Sequence, residues 1–179
     1  ARGSGTKFSK SETLASNLTI DEGAFLISTD YIGVELGGPA AWTTTVNGYV
    51  AGTSVGLYLN GSAAAAKVVV GANGGVRGYT YALFARTAVS IDNSGTILGK
   101  GEGIRLDGTG TNSIINKGTI GGESAAIRSL QLVGSANDTV TNSGLIDGSV
   151  SLNGGNNKLV NTGRITSEEF FGLAANVIM

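Results

Sequence analysis

Asn93-Ser-Gly-Thr-Ile97 is the first clear copy of the phrase that decides the fold, and it returns as Asn116-Lys-Gly-Thr-Ile120, Asn142-Ser-Gly-Leu-Ile146 and Asn161-Thr-Gly-Arg-Ile165. Aliphatic residues precede every copy. A turn-and-strand unit that recurs along a chain predicts a stack of similar coils, which is a solenoid. Because such a stack presents a long surface, the repeat favours binding, display or spanning over catalysis.

The glycine of the phrase serves as a phase marker for the whole chain. The equivalent glycines are Gly23, Gly48, Gly74, Gly95, Gly118, Gly144 and Gly163, and the first three copies of the phrase are degenerate. A second strand follows each bend, as in the alternating triplets Leu57-Tyr-Leu59 and Ile104-Arg-Leu106. These regularities predict an all-β, right-handed, single-stranded parallel β-helix of about seven coils stacked about 4.8 Å apart. We expect residues 1–17 to form a tail or cap and residues 18–179 to form the β-helix domain.

Each asparagine of the phrase lies two residues after one apolar residue and four before another. Because side chains alternate along a strand, the asparagines are expected inside the coil, with those apolar residues, or at its corner. There each amide can bond to the main chain of the bend or to the asparagine of the next coil. The glycine then permits either a positive φ or a close approach of two backbones. The predicted structural corner consists of Asn93, Gly95, Asn116, Gly118, Asn142, Gly144, Asn161 and Gly163.

Composition narrows the functional classes. The 179 residues are 41% hydrophobic and 14% charged, with a net charge of −1 and no basic run, so nucleic acid is not expected as a partner. Cysteine and histidine are absent, which removes thiolate metal sites and much acid–base chemistry, and no cofactor is expected. No apolar run reaches the ~18 residues of a membrane-spanning helix, so no membrane insertion is expected. A chain that starts at Ala1 without an initiator methionine is expected to be a piece of a longer protein.

One outward column emerges when the second strands are aligned. It follows the start of each strand by one residue and consists of Gly33, Tyr58, Phe84, Arg105, Arg128 and Ser151. Two aromatic rings and two guanidinium groups on consecutive coils suit a glycan or an acidic peptide. We therefore take Tyr58, Phe84, Arg105 and Arg128 as candidate ligand-binding residues. The alternative is that a loop or a neighbouring domain covers the rings while the arginines are solvated.

Two other classes of protein are left open as alternatives. A carbohydrate-active β-helix enzyme, a lyase or hydrolase, needs clustered carboxylates, but the acids fall at different phases of the coil. Glu102 and Asp107 flank one strand, and the neighbouring coils supply no partner at either position. A calcium-stabilised repeat is suggested by Gly134-Ser-Ala-Asn-Asp-Thr-Val140 and Gly154-Gly-Asn-Asn-Lys-Leu159, although the second copy lacks a carboxylate.

Three stretches carry a resemblance to a known group of proteins: Ile91-Asp-Asn-Ser-Gly-Thr-Ile-Leu-Gly99, Gly103-Ile-Arg-Leu-Asp-Gly108 and Ile115-Asn-Lys-Gly-Thr-Ile-Gly121. They resemble the tandem phrases in passenger regions of Gram-negative autotransporters and related bacterial surface proteins. The resemblance is clear over residues 88–166 and looser over 20–87. It implies a non-enzymatic, secreted or surface-exposed adhesin segment, anchored to the outer membrane in its full-length protein. The implied partner is a host or bacterial surface glycan or protein.

The end of the chain predicts self-association. Residues 167–179 begin like another coil and then stop on the apolar residues Val177, Ile178 and Met179. An open β-helix exposes unpaired strand edges at its last coil. We therefore expect end-to-end association of this chain through that edge.

Overall fold

The structure is a computed structural model that describes residues 17–61, 65–130, 137–152 and 154–167, together with the backbone of short strands at 7–8, 13–14, 170–171 and 177–178. All regular secondary structure in this described part is β-strand. It accordingly contains no helix of the length and apolarity needed to cross a membrane. Most of the predicted tail or cap, residues 1–17, lies outside the described residues; its two short strands pair with later strands of the stack.

The strands form three sheets that correspond to the three sides of a coil. Sheet A contains β1 (Lys7–Phe8), β4 (Phe25–Ser28), β7 (Tyr49–Gly52), β10 (Gly75–Gly78), β13 (Thr96–Gly99), β16 (Thr119–Gly122), β19 (Leu145–Asp147) and β22 (Arg164–Ile165). Sheet B contains β2 (Thr13–Leu14), β5 (Ile32–Gly38), β8 (Val55–Gly61), β11 (Tyr81–Ala85), β14 (Glu102–Leu106), β17 (Ala125–Ser129), β20 (Val150–Leu152) and β23 (Phe170–Phe171). Sheet C contains β3 (Leu18–Ile20), β6 (Thr43–Val46), β9 (Ala66–Val70), β12 (Val89–Asn93), β15 (Ser113–Asn116), β18 (Thr139–Asn142), β21 (Lys158–Asn161) and β24 (Val177–Ile178).

Each strand pairs in parallel with the strand three places further along the chain, so one coil is a strand of sheet C, then one of sheet A, then one of sheet B. We call β3–β5 coil 1 and number the coils in order, so that β18–β20 are coil 6 and β21 begins coil 7. Six coils are complete among the described strands with described side chains, close to the seven predicted. The all-β parallel solenoid is thereby confirmed; the right-handed sense stays a prediction.

The core is a set of aliphatic ladders that run along the solenoid axis. In each strand alternate side chains point inward, and equivalent positions on successive coils stack. The sheet A ladder is fully buried and contains Val50, Val76, Ile97, Ile120 and Ile146. The sheet B ladder contains Leu57, Leu83, Ile104, Ile127 and Val150. Burial of each such side chain contributes about 1.5–3 kcal/mol, which makes these ladders the main source of stability.

The first coil is out of phase with the sequence alignment. Phe25 pairs with Tyr49, so Ala24 rather than Gly23 lies level with Gly48. The reason is the place of the glycine in the bend: the bend of coil 1 (21–24) ends at Ala24, whereas those of coil 2 (47–48) and coil 3 (71–74) end at their marker glycines. Gly23 adopts a φ of 74° within the bend of coil 1.

The predicted outward column on sheet B is out of phase in coil 1 by two residues, because three residues (29–31) separate β4 from β5 whereas two (53–54) separate β7 from β8, in addition to the one-residue offset at Ala24. Val34, not Ile32, pairs with Leu57, and Glu35, not Gly33, pairs with Tyr58. The assignment of Gly33 to the column was therefore wrong. Gly33 is buried, and a Cβ there would lie 2.5 Å from the carbonyl oxygen of Gly56, so its place is a close approach between backbones.

Candidate functional site

The repeated asparagines form one continuous hydrogen-bonded ladder at the corner between sheets C and A. The Nδ2 groups of Asn93, Asn116 and Asn142 each donate to the Oδ1 of the next asparagine at 2.7 Å, and the last acceptor is Asn161. The same Nδ2 groups also reach main-chain carbonyls, as Asn116 does with Leu145 at 3.0 Å. Asn93, Asn116 and Asn142 are 0% exposed, so their amides hold coils together and are not available to a ligand.

The ladder starts abruptly. Val70 occupies the equivalent position one coil before Asn93, and Val46 and Ile20 precede it. The buried Oδ1 of Asn93 consequently has no hydrogen-bond partner in the described part of the chain. The corner is thus apolar in coils 1–3 and amide-lined from coil 4 onward.

The corner glycines are required by close packing of backbones. A Cβ on Gly118 would lie 2.1 Å from the carbonyl oxygen of Gly95, and one on Gly144 would lie 2.2 Å from that of Gly118. Gly95 and Gly163 show the same contact at 2.3 Å and 2.2 Å. Since none of the four has a φ in the left-handed region, close approach and not positive φ explains the residue type.

A second polar ladder, which the sequence analysis missed, lies at the entry to sheet C. Val89 N donates to Asn112 Oδ1 at 3.0 Å, Asn112 N donates to Asp138 Oδ1 at 2.9 Å, and Asp138 N donates to Asn157 Oδ1 at 2.9 Å. These three polar side chains are at most 2% exposed. Each of them lies four residues before a corner asparagine, Asn116, Asn142 or Asn161, so the repeat itself places them in one column.

The stretch considered for calcium runs into this second ladder. Its first residues, 134–136, lie outside the described residues, and Asp138 lies level with Asn157 rather than with another carboxylate. Across the segments that the structure describes, no group of three or more acidic side chains is placed to hold a metal ion.

The candidate binding column is brought together on the outer side of sheet B. Tyr58 pairs with Phe84, Phe84 with Arg105, Arg105 with Arg128, and Arg128 with Ser151. The four candidate side chains are partly buried. Tyr58 and Phe84 stack with ring centroids 5.0 Å apart and an interplanar angle of 16°. Because the rings face each other along the solenoid axis, much of their face area is already used within the column.

Arg105 is enclosed by its neighbours. It contacts Asp107 through Nε and Glu102 through Nη1 at 3.3 Å, and its guanidinium lies 5.6 Å from the centroid of the Tyr81 ring. Its side chain is only 13% exposed. Burial would lower the pKa of Arg105, but hydrogen bonds and charge attraction from Asp107 and Glu102 raise it above its usual value.

Arg128 differs from Arg105 in its surroundings. Its Nε lies 3.2 Å from Glu102 Oε1, an ion pair without the alignment of a hydrogen bond, and its side chain is 35% exposed. The positions level with Glu102 on the neighbouring coils are Tyr81 and Ala125, so no second carboxylate joins Glu102 there, as expected. The contact between Glu102 and Arg128 was missed, because Arg128 lies level with Arg105 and not with Glu102.

Arg86 is a further cation at this surface. It is exposed, and a hydrogen bond with the Tyr58 hydroxyl, together with attraction to Tyr58 and Asp107, raises its pKa. The outer surface of sheet B and the bend that follows it thus carry three arginines, Arg86, Arg105 and Arg128, near the carboxylates of Glu102 and Asp107.

Replacing Glu102 with Gln is expected to destabilise the fold by about 1–3 kcal/mol, because the buried carboxylate of Glu102 loses its ion pairs with Arg105 and Arg128. Urea-induced unfolding measures the change. The matched control is Glu22→Gln, since Glu22 is exposed and accepts from Asn73, a bond that a glutamine oxygen preserves. Equal stability of the two variants would contradict a structural role for the Glu102 charge.

Comparisons of this chain with protein-family models, with curated proteins and with solved structures gave no match.

Proposed function

We propose that this chain is a non-enzymatic structural and binding segment of a secreted or surface-exposed bacterial adhesin, and that it binds anionic groups of a surface glycan or protein on sheet B. The observation that carries the proposal is the column itself. Tyr58, Phe84, Arg105 and Arg128 stand on four consecutive coils of a rigid sheet, in register. A site held by main-chain ladders needs no reorganisation to receive a ligand.

Within the column, the two arginines have different roles. Arg105 donates to Glu102 and Asp107, and it thereby positions Glu102, the acid that contacts Arg128. Arg128 has its Nε near Glu102 but is more than a third exposed along its side chain. Arg128 therefore offers the guanidinium that a carboxylate or sulfate binds, with Arg86 as a second cation at the rim.

The cellular location belongs to the same proposal. The resemblance of the Asn-x-Gly-x-Ile and Gly-Ile-x-Leu phrases to autotransporter passengers supports an extracellular place on a bacterial surface. The absence of cysteine from all 179 residues is consistent with export of an unfolded chain. The segment is then one stretch of a longer, outer-membrane-anchored protein.

Arg128→Ala is expected to weaken binding to polyanions about tenfold, which corresponds to the loss of one charge-assisted hydrogen bond. The probes are immobilised heparin and polygalacturonate as sulfated and carboxylated glycans, polyglutamate as an acidic peptide, and neutral dextran. Biolayer interferometry measures the affinity for each, and circular dichroism checks that the variant is folded.

The matched control is Lys67→Ala, an exposed cation on sheet C. A preference of the parent chain for the glycans over polyglutamate identifies a glycan ligand, and the reverse preference identifies a protein. Unchanged binding by Arg128→Ala, or the same loss with Lys67→Ala, is incompatible with a site at Arg128.

A further inference from the structure

The outer side of sheet A carries three columns that the proposed sheet B site does not use. Together we call them face A. The first column is Tyr49, Gly75, Thr96, Thr119, Leu145 and Arg164. The second is Ala51, Arg77, Leu98, Gly121 and Asp147. The third follows in the bend toward sheet B and contains Tyr79, Lys100 and Glu123.

The charges of face A are ordered along the solenoid. Arg77 in coil 3 and Lys100 in coil 4 are followed by Glu123 in coil 5 and Asp147 in coil 6, and all four side chains are exposed. None of them makes an ion pair within the described residues; the Lys100 ammonium instead lies 5.0 Å from the centroid of the Tyr79 ring. Along the solenoid axis, two cations are thus followed by two acids, one charge in each coil, and none of the four is in an ion pair with another described residue.

This order is complementary to itself under a two-fold rotation. If a second copy lies antiparallel against face A, with the two-fold axis between coils 4 and 5, each column meets its own equivalent and coil 3 meets coil 6. Arg77 then faces Asp147 of the second copy, and Lys100 faces Glu123 of the second copy. Each of the two pairings occurs twice, because the contact is symmetric.

The uncharged residues of face A fit the same arrangement. The first column brings Thr96 opposite Thr119 of the second copy, Gly75 opposite Leu145, and the Tyr49 ring opposite Arg164. The Leu98 side chain lies over Gly121 of the next coil, so the Leu98 side chains of the two copies meet near the two-fold axis. A groove of about 390 Å³ lined by Leu98, Gly99, Gly122 and Glu123 opens at this place and can receive side chains from the opposite face.

We propose that face A joins two copies of this chain in an antiparallel, two-fold dimer. The contact spans about five coil spacings of ~4.8 Å and is one sheet wide, which is smaller than a standard interface. Its attraction is largely electrostatic, so the dimer forms at high protein concentration and weakens as salt rises. This association is separate from the ligand site on sheet B and from stacking at the coil ends.

Charge reversal tests the pairing of Lys100 with Glu123. Lys100→Glu and Glu123→Lys each bring like charges together twice, so sedimentation equilibrium is expected to show dimerisation weakened at least tenfold. The double variant Lys100→Glu/Glu123→Lys restores opposite charges and therefore the dimer. An equimolar mixture of the two single variants restores it as a heterodimer. Lys67→Glu on sheet C is the control and leaves dimerisation unchanged.

Cysteine pairs test the register without altering charge, because the chain contains no cysteine. A mixture of Thr96→Cys and Thr119→Cys is expected to form a disulfide-linked heterodimer under mild oxidation, in preference to either homodimer. A chain that stays monomeric at millimolar concentration and low salt would overturn the proposal. So would association that survives all the charge variants, which is the behaviour of stacked coil ends, or single variants that dimerise no better when mixed.

Discussion

Asn116→Asp is expected to destabilise the protein by about 3–5 kcal/mol at pH 7, the cost of an uncompensated buried charge. The substitution keeps the shape of the side chain but replaces the Nδ2 donor by oxygen. That oxygen then faces three acceptors, Asn142 Oδ1 at 2.7 Å, Leu145 O at 3.0 Å and Gly118 O at 3.3 Å. Among the described residues, the Nδ2 donor of Asn93 is the only favourable partner that remains.

The destabilisation depends on pH in a defined direction. Burial and the surrounding oxygens raise the pKa of the new carboxyl in the folded state above its unfolded value of about 3.9. The loss of unfolding free energy therefore has its full size at neutral pH. It becomes smaller as the pH falls toward 4, because the protonated acid regains one hydrogen-bond donor. Urea titrations at pH 7 and pH 4 measure this difference.

The matched control is Asn17→Asp. Asn17 is exposed, and its Oδ1 accepts from Thr43 N, a bond that a carboxylate preserves. Its unfolding free energy is expected to change by less than about 0.5 kcal/mol. If Asn116→Asp were as stable as this control at pH 7, the amide ladder would not be a source of stability.

Gly118→Ala is expected to cost about 3 kcal/mol. The added Cβ lies 2.1 Å from the carbonyl oxygen of Gly95 and 2.7 Å from the carbonyl carbon of Ser94. Both are main-chain atoms of the preceding coil, so no side chain can rotate away and the corner must open. Opening the corner also lengthens the hydrogen bonds that the side-chain amides of Asn93 and Asn116 donate to the next coil.

Gly61→Ala provides the comparison for this substitution. A Cβ there meets Gly38 O at 3.4 Å, and every other atom is further away. The change in thermal and chemical stability is expected to be within about 0.5 kcal/mol. Equal effects at the two glycines would show that close approach of backbones does not explain Gly118.

The fold follows from the sequence because one repeat carries both the spacing and the contacts. The apolar residue two places before each asparagine and the isoleucine four places after it predict ladders, and the ladders of Ile91 and Ile97 are buried as expected. The phase fails in coil 1, where Ala24 follows Gly23 before β4 and where the next bend (29–31) has one residue more than its equivalent in coil 2 (53–54). Bend length changes the register without changing the hydrophobic pattern, so the sequence pattern alone misplaces Gly23 and Gly33.

The candidate site was predicted only in outline. The register of Tyr58, Phe84, Arg105 and Arg128 follows from strand alternation, which the repeat makes visible. The contacts of Glu102 do not follow from it, because they depend on the rotamers of two arginines on different coils. The ladder of Asn112 and Asp138, in contrast, could have been predicted, because each residue lies four places before a corner asparagine of the repeat.

The change at Val70, where the apolar corner gives way to the amide ladder, has a consequence for exchanging coils between positions. A coil that brings an asparagine to the corner can be duplicated or transplanted anywhere from coil 4 onward, because it accepts from the coil before and donates to the coil after. The same coil placed among coils 1–3 would bury an amide between aliphatic side chains. The amide would then lack a hydrogen-bond partner, which destabilises the fold. The solenoid therefore has two classes of interchangeable unit, and the length of each class can grow independently of the other.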